Sequence, residues 1–179
     1  MTMRRRSAFT LVELLMVAAI AIMLAAMVLP QLQDTDGVHL IAAARMLRSD
    51  IELAQVMTIS NPARPIVLRF ELGDLDNDTF FPEYWLATAA DPETPITRPG
   101  TGTPYHVEFG AGPASDARGV TLAFTGLLGE TLGFNPQGGV DVAYAPGALA
   151  IKLFRPPDNR WIRLSISSIT GTITETSGE

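Results

Sequence analysis

Hydrophobic and polar positions divide the chain into three parts. Between Phe9 and Leu29 almost every residue is apolar, and Glu13 is the only ionisable one. Between Val38 and Ala54 apolar residues recur every three or four positions, which predicts a helix with one apolar face. Beyond Ser60, short apolar runs alternate with polar residues and turn residues, which is typical of strands. The pattern therefore predicts helical structure first and β structure afterwards.

The second helical segment has a clear apolar stripe and a clear end. Arg45, Arg48 and Glu52 fall on a different face from the stripe. We expect the helix to stop near Ser60 and Asn61, because prolines follow at once. The stripe consists of Leu40, Ala44, Leu47, Ile51 and Ala54.

Short runs with period-two alternation predict the strands. One helix followed by many short strands favours an α+β fold with an antiparallel sheet. The segment from Asp91 to Gly119 is rich in proline and glycine and is predicted to be mostly loop, broken by one of the strands. The expected strands are Ile66–Phe70, Tyr84–Ala87, Tyr105–Phe109, Val120–Phe124, Leu149–Phe154 and Trp161–Ile166, with Thr172–Thr174 after a turn at Thr170–Gly171.

The first apolar segment has the length of a membrane span. A helix rises about 1.5 Å per residue, so Phe9 to Leu29 is long enough for a bilayer core. A carboxylate inside such a segment costs on the order of a few kcal/mol, which calls for a functional reason for Glu13. Arg4, Arg5 and Arg6 precede the segment and favour a cytoplasmic N-terminus. The remaining chain is then expected outside the cytoplasmic membrane.

The segment Phe9-Thr10-Leu11-Val12-Glu13-Leu14-Leu15, with its basic leader, resembles the class III signal of type IV prepilins and pseudopilins. The resemblance implies cleavage between Ala8 and Phe9 and N-methylation of the new Phe9 amine. It also implies a role for Glu13 in filament assembly and a helix kink at Pro30. One position departs from the family, because Ala8 stands where glycine is usual.

A looser resemblance covers most of the remaining chain. The turn Gly133-Phe134-Asn135-Pro136-Gln137-Gly138 and the hairpin Ser168-Ile169-Thr170-Gly171 resemble motifs of the GspH/FimT group of minor pseudopilins. Gln55 stands where that group often has arginine. The resemblance implies a pilin-like fold: a long N-terminal helix, membrane-spanning in its first half and amphipathic in its second, packed on an antiparallel sheet. The implied segments are a leader at 1–8, a transmembrane and assembly helix at 9–30 and an extracytoplasmic domain at 31–179.

The resemblance implies a structural minor subunit of a type II secretion or type IV pilus-like filament that supports protein secretion. The implied partners are a prepilin peptidase, other pilins or pseudopilins, an inner-membrane assembly platform and the lipid bilayer. The implied place is the inner membrane, as a single-pass protein. The alternatives are a membrane-anchored extracytoplasmic binding domain that does not polymerise, and a minor type IV pilin for adhesion or DNA uptake. A secretory or twin-arginine signal fits poorly, because Glu13 interrupts a long apolar run.

Charge and composition exclude several classes of protein. The formal net charge is −6, and removing Arg4, Arg5 and Arg6 leaves 10 Lys+Arg against 19 Asp+Glu. This acidic balance argues against nucleic-acid binding, which needs a basic face for phosphate contacts, so no nucleic-acid partner is expected. Zero cysteines exclude disulfides and thiolate metal sites.

Candidate chemistry is sparse. Asp74, Asp76 and Asp78 have the D-x-D-x-D spacing of a calcium loop, but the expected glycine and glutamate are missing, so a solvated acidic turn is favoured. His39 and His106 have no metal-ligand spacing. The sequence contains no nucleophile elbow, phosphate loop or H-E-x-x-H motif. We therefore expect neither a cofactor nor enzymatic activity.

Overall fold

The computed structural model describes residues 10–28, 35–72, 82–156 and 159–178. Two α-helices open the described chain, α1 at Leu11–Val28 and α2 at Thr35–Ser60. The chain divides into two compact units, Met1–Asp36 and Gly37–Glu179. The first unit contains α1, and the second contains nearly all of α2 and every strand.

Nine short strands and a 3-10 helix at Gly112–Ala117 complete the described structure. The strands are β1 (Ile66–Glu71), β2 (Glu83–Thr88), β3 (Asp91–Pro95), β4 (His106–Glu108), β5 (Thr121–Thr125), β6 (Thr131–Gly133), β7 (Leu149–Phe154), β8 (Trp161–Ile166) and β9 (Ile173–Gly178).

The strands form two antiparallel sheets. The first sheet has the order β3-β2-β1-β6, and β4 also pairs with β2. The second sheet has the order β5-β7-β8-β9. Along β7 every second residue is buried, as expected for a strand with one face on the core.

One hydrophobic core unites α2 with the inner faces of both sheets. Helix α2 contributes Leu47 and Ile51, which are fully buried. The first sheet contributes Phe70 and Tyr84, whose rings lie 5.9 Å apart. The second sheet contributes Leu164 from β8 among others. The stripe predicted from the three-and-four spacing of α2 is buried as a whole: Leu40, Ala44, Leu47, Ile51 and Ala54.

The predicted fold class is wrong. We expected a long N-terminal helix, apolar in its first half, packed on one antiparallel sheet in a pilin-like arrangement. The described residues instead form mostly antiparallel sheet, and α1 is a short helix of 18 residues. The strands also separate into two sheets, because β6 returns to pair with β1 while β5 pairs with β7.

The predicted membrane topology is contradicted as well. Within the described parts of the chain, no helix is long and apolar enough to cross a membrane. This finding contradicts the predicted localisation as a single-pass protein of the inner membrane. It also removes the support that the span gave to a pseudopilin of a type II secretion system.

Individual elements were placed better than the architecture. Helix α2 ends at Ser60, as predicted, and β7 and β8 have the predicted bounds. The segment predicted as loop contains β3 and the 3-10 helix in addition to β4. Strand β6 had no predicted counterpart.

Candidate functional site

Helix α1 exposes apolar side chains on all of its sides. Its described side chains from Leu11 to Leu24 are all exposed, and the large apolar ones are 58% to 77% accessible. A helix that is apolar all round is normally enclosed by other apolar groups. Exposed apolar surface of this extent marks a contact site. The exposed large residues are Leu11, Val12, Leu14, Leu15, Met16, Val17, Ile20, Ile22, Met23 and Leu24.

Glu13 closes the N-terminus of this helix. Its Oε2 accepts hydrogen bonds from the Thr10 backbone N–H at 3.0 Å and from the Thr10 hydroxyl at 3.1 Å. In return, the Glu13 backbone N–H donates to Thr10 Oγ1 at 3.3 Å. This reciprocal pair is a capping box, which satisfies backbone donors that the first turn of a helix leaves free. The described contacts of the carboxylate all use Oε2.

Several predicted site residues lie outside the described parts of the chain. They are the cleavage and methylation residues Ala8 and Phe9, the proposed kink at Pro30, and the weak calcium candidates Asp74, Asp76 and Asp78. Their predicted roles remain predictions.

Gln55 brings together the two motifs that the sequence singled out. Its side-chain Nε2 donates to the Gly138 carbonyl at 2.6 Å and to the Thr170 carbonyl at 3.2 Å. Gly171 lies against the same amide. The approach is so close that a Cβ at this position would lie 2.2 Å from Gln55 Nε2. The last turns of α2, the turn 133–138 and the β8–β9 hairpin therefore meet at one side chain. We call this set of contacts the Gln55 clamp.

Asn135 shapes the turn that presents Gly138. The side-chain Oδ1 of Asn135 accepts hydrogen bonds from the backbone N–H groups of Gln137 and Gly139, both at 3.0 Å. Phe134 is buried beside it and bridges to Val140. An asparagine that bonds its own backbone in this way stabilises a tight turn. The motif thus has a structural role that its residue types explain.

A buried carboxylate joins α2 to the first sheet. Asp50 accepts hydrogen bonds from the hydroxyls of Tyr84 and Tyr105, each at 2.7 Å. The Arg98 guanidinium lies 4.3 Å from the Tyr105 ring centroid. Burial, then the hydrogen bond and charge of Asp50, raises the pKa of Tyr105 to about 12. Burial, then the charge of Asp50, raises the pKa of Tyr84 well above its ordinary value.

Neither histidine is part of a metal site in the described residues. The His39 ring contacts the Asp116 carbonyl, and His106 Nε2 lies 3.0 Å from the Glu83 carboxylate. In the described ranges no group of three or more His, Cys, Asp or Glu residues could hold a metal ion. His39 thus contacts a backbone carbonyl, and His106 pairs with a carboxylate.

A small cleft lies between the end of α2 and the β2–β3 turn. Its volume is about 450 Å³, and its lining includes Met57, Asn61, Arg64, Asp91 and Ile96. The lining also includes the hydroxyl-bearing residues Thr88, Thr94 and Thr97.

Comparisons with protein-family models, with curated proteins and with solved structures find no match to this chain. The proposals that follow therefore depend on the residues and their geometry.

Sequence reasoning missed two of these arrangements. The capping box has a plain sequence signal, since Thr10 and Glu13 stand three positions apart before an apolar run. The sequence signal for Asp50 is weaker. An acid beside the apolar stripe of α2 predicts that a hydrogen-bond donor from another element contacts it. Its partners, Tyr84 and Tyr105, are far away in sequence and had no local signal.

Proposed function

We propose that this protein is a structural, non-catalytic subunit that assembles into a pilus-like filament through helix α1. A prepilin-type peptidase first removes the leader between Ala8 and Phe9. Helices α1 of neighbouring copies then pack against one another and cover the apolar side chains. The proposal concerns assembly between protein subunits and needs no cofactor.

The exposure of α1 is the observation that carries the proposal. Ten large apolar side chains are exposed on this one helix, at 58% or more each. Full burial of each side chain contributes about 1.5–3 kcal/mol, so covering all ten offers roughly 15–30 kcal/mol before the cost of association. Because these side chains surround the helix, a single groove would leave those on the far side exposed. A bundle of similar helices covers every side.

Glu13 fits a role in setting the register of such a bundle. Its capping contacts use Thr10 and Oε2 alone, so they persist when the residues up to Ala8 are removed. The other carboxylate oxygen is then available to the Phe9 amine of a neighbouring copy. A carboxylate enclosed among apolar helices is costly alone and tolerable beside an opposite charge.

The proposed removal of the leader is tested by measuring the intact mass and by N-terminal sequencing. The full chain is expressed with a prepilin peptidase, and the mature protein is expected to begin at Phe9. Replacing Ala8 with a bulky residue should leave the precursor uncut, whereas Ala8→Gly should be cut at least as well. Recovery of the uncut chain in the presence of active peptidase would refute the proposed processing.

Assembly is tested with matched charge insertions. Val17→Arg and Ile20→Arg place a charge on α1, while Ile169→Arg places the same charge on an apolar residue that is 83% exposed outside α1. Electron microscopy and sedimentation should show filaments with Ile169→Arg and none with the α1 variants. Glu13→Val should abolish assembly but leave cleavage unchanged. Normal filaments with Val17→Arg and Ile20→Arg would overturn the proposal.

A further inference from the structure

Two cations stand side by side on the outer face of the second sheet. Lys152 of β7 and Arg163 of β8 are direct cross-strand partners. Both cations approach the same indole, since Lys152 Nζ lies 5.5 Å and Arg163 Cζ 5.3 Å from the Trp161 ring. Like charges directly opposite one another on a sheet are destabilising. An anionic partner on this face would remove that repulsion.

Among the described strand positions of this outer face, none other than Lys152 and Arg163 is charged. The positions that share it on β5, β7, β8 and β9 hold alanine, serine, threonine, phenylalanine, tryptophan and glycine. Glu175 of β9 pairs with buried Leu164 and therefore points to the opposite side of the sheet. The chain as a whole has 19 Asp and Glu residues against 13 Lys and Arg. This face is thus a local positive surface on an acidic protein.

The first sheet carries a row of carboxylates on its outer face, beside Arg69, whose guanidinium is already paired with Glu93 and Glu130. Glu71, Glu83 and Glu108 lie directly opposite one another across β1, β2 and β4. Their neighbours Phe70 and Tyr84 are buried in the core, so the three carboxylates share the outer face. Glu71 and Glu108 are exposed, and Glu83 is half-buried beside His106. Burial, together with the charges of Glu71 and Glu108 and against the effect of His106, raises the pKa of Glu83.

The two patterns have the same spacing. Neighbouring strands of any sheet lie about 4.8 Å apart, and in both patterns the charges occupy directly opposed positions on adjacent strands. The two cations of the second sheet can therefore lie opposite two neighbouring carboxylates of the first sheet. An anionic surface without regularly spaced charges does not match the cations in this way.

We infer that the Lys152–Arg163 pair of one copy binds the Glu71–Glu83–Glu108 row of the next copy. The inference rests on the proposed filament and names the contact between its globular parts. Two different faces meet in this contact, so it is heterologous, and such a contact repeats along an open assembly. The charges contribute mainly to orientation and to the choice of partner.

The sole lysine of the chain makes the test direct. Lys152 is the only lysine, so a carbodiimide that joins amines to carboxylates can react only there and at the N-terminal amine. The mature full chain is prepared with and without ¹⁵N, mixed, assembled and cross-linked. Peptide mass mapping should show Lys152 joined to Glu71 or Glu108 with mixed isotopic mass, which identifies a contact between copies. The yield should fall as salt screens the charges.

Matched variants separate the effect of the charge on association from the reactivity of the lysine amine. Lys152→Arg keeps the cation and should lose the cross-link while assembly continues. Lys152→Glu should weaken association of the globular parts, as should Glu108→Lys, and an equimolar mixture of the two should restore it. Cross-links from Lys152 that are all within one chain, or that join another acidic segment, would overturn the inference, as would a mixture that associates no better than the single variants.

The outcomes also separate this inference from the proposed filament. Filaments that form without any Lys152 cross-link between copies retain the assembly through α1 and refute the contact described here. Isotopically mixed Lys152–Glu108 cross-links without filaments retain the contact and refute the filament. The absence of both refutes both.

Discussion

The side chain of Gln55 donates a hydrogen bond of 2.6 Å to the backbone carbonyl of Gly138. The same amide nitrogen reaches the Thr170 carbonyl at 3.2 Å. One glutamine near the end of α2 thereby binds two separate turns of the β structure. The two N–H groups of this one amide are enough to serve both carbonyls.

Removing the Gln55 side chain should destabilise the fold. Gln55→Ala leaves the Gly138 and Thr170 carbonyls without this donor, and the expected loss is about 1–2 kcal/mol in the free energy of unfolding. Urea denaturation monitored by circular dichroism measures it. Gln137→Ala is the control, because Gln137 is exposed and only its backbone is bonded in the turn. Equal stability of the two variants would contradict the clamp.

Gly171 should tolerate no side chain. Its φ is 67°, and a Cβ would lie 2.1 Å from the Gly138 carbonyl oxygen. Gly171→Ala therefore combines a strained backbone with a clash against backbone, and we expect a loss of at least about 2 kcal/mol. Gly147→Ala serves as the control, since nothing lies within 4 Å of a Cβ there. Thermal unfolding of both variants would show the difference, and a neutral Gly171→Ala would mean that the hairpin sits elsewhere.

Tyr105→Phe should lower the free energy of unfolding by more than the removal of an ordinary tyrosine hydroxyl does. Its hydroxyl donates at 2.7 Å to the buried carboxylate of Asp50, and a hydrogen bond to a charged group contributes about 1.5–3 kcal/mol. Tyr144→Phe is the matched control, because Tyr144 is half-buried and has no described contact with Asp50. In an Asp50→Asn background the effect of Tyr105→Phe should shrink. An unchanged effect there would show that the hydroxyl acts through another group.

High pH should unfold the protein through its tyrosines. The pKa of Tyr105 is raised to about 12 from 10.0, so the folded state holds a proton that the unfolded state releases earlier. The stabilisation is fully present below pH 10.0 and is lost as pH rises through about 12. The tyrosinate absorbance of the native protein should therefore rise late, and together with unfolding. In a Tyr144→Phe background, which removes the third tyrosine, a signal that titrates near pH 10.0 in the folded protein would disprove the buried arrangement.

Local patterns predicted local elements well. The alternation of apolar and polar residues was sufficient to predict the strands Leu149–Phe154 and Trp161–Ile166, because one face of each strand is buried and the other is not. Strand β3, Asp91–Pro95, contains two prolines and no apolar alternation. It forms because it pairs with β2 at the edge of the sheet, where proline is tolerated. Strand β6 has only three residues and had no readable period.

The architecture was beyond the local patterns. Whether β5 joins β6 or β7 depends on pairings between distant segments, and no single segment encodes them. The site shows the same limit. The capping function of Glu13 was readable from Thr10, but the partners of Asp50 and Gln55 are brought together only by the folded core. The apolar run itself suggested a longer helix than the 18 residues of α1.

The Gln55 clamp also bears on the order in which the chain folds. Its two hydrogen bonds span 83 and 115 positions along the sequence. Contacts of such separation require closure of large loops, which delays them relative to helix formation. We therefore expect the clamp to form in the last stage of folding, after α2 and the neighbouring strands. Weakening it should accelerate unfolding and leave the folding rate almost unchanged, so that Gln55 acts chiefly on the lifetime of the native state.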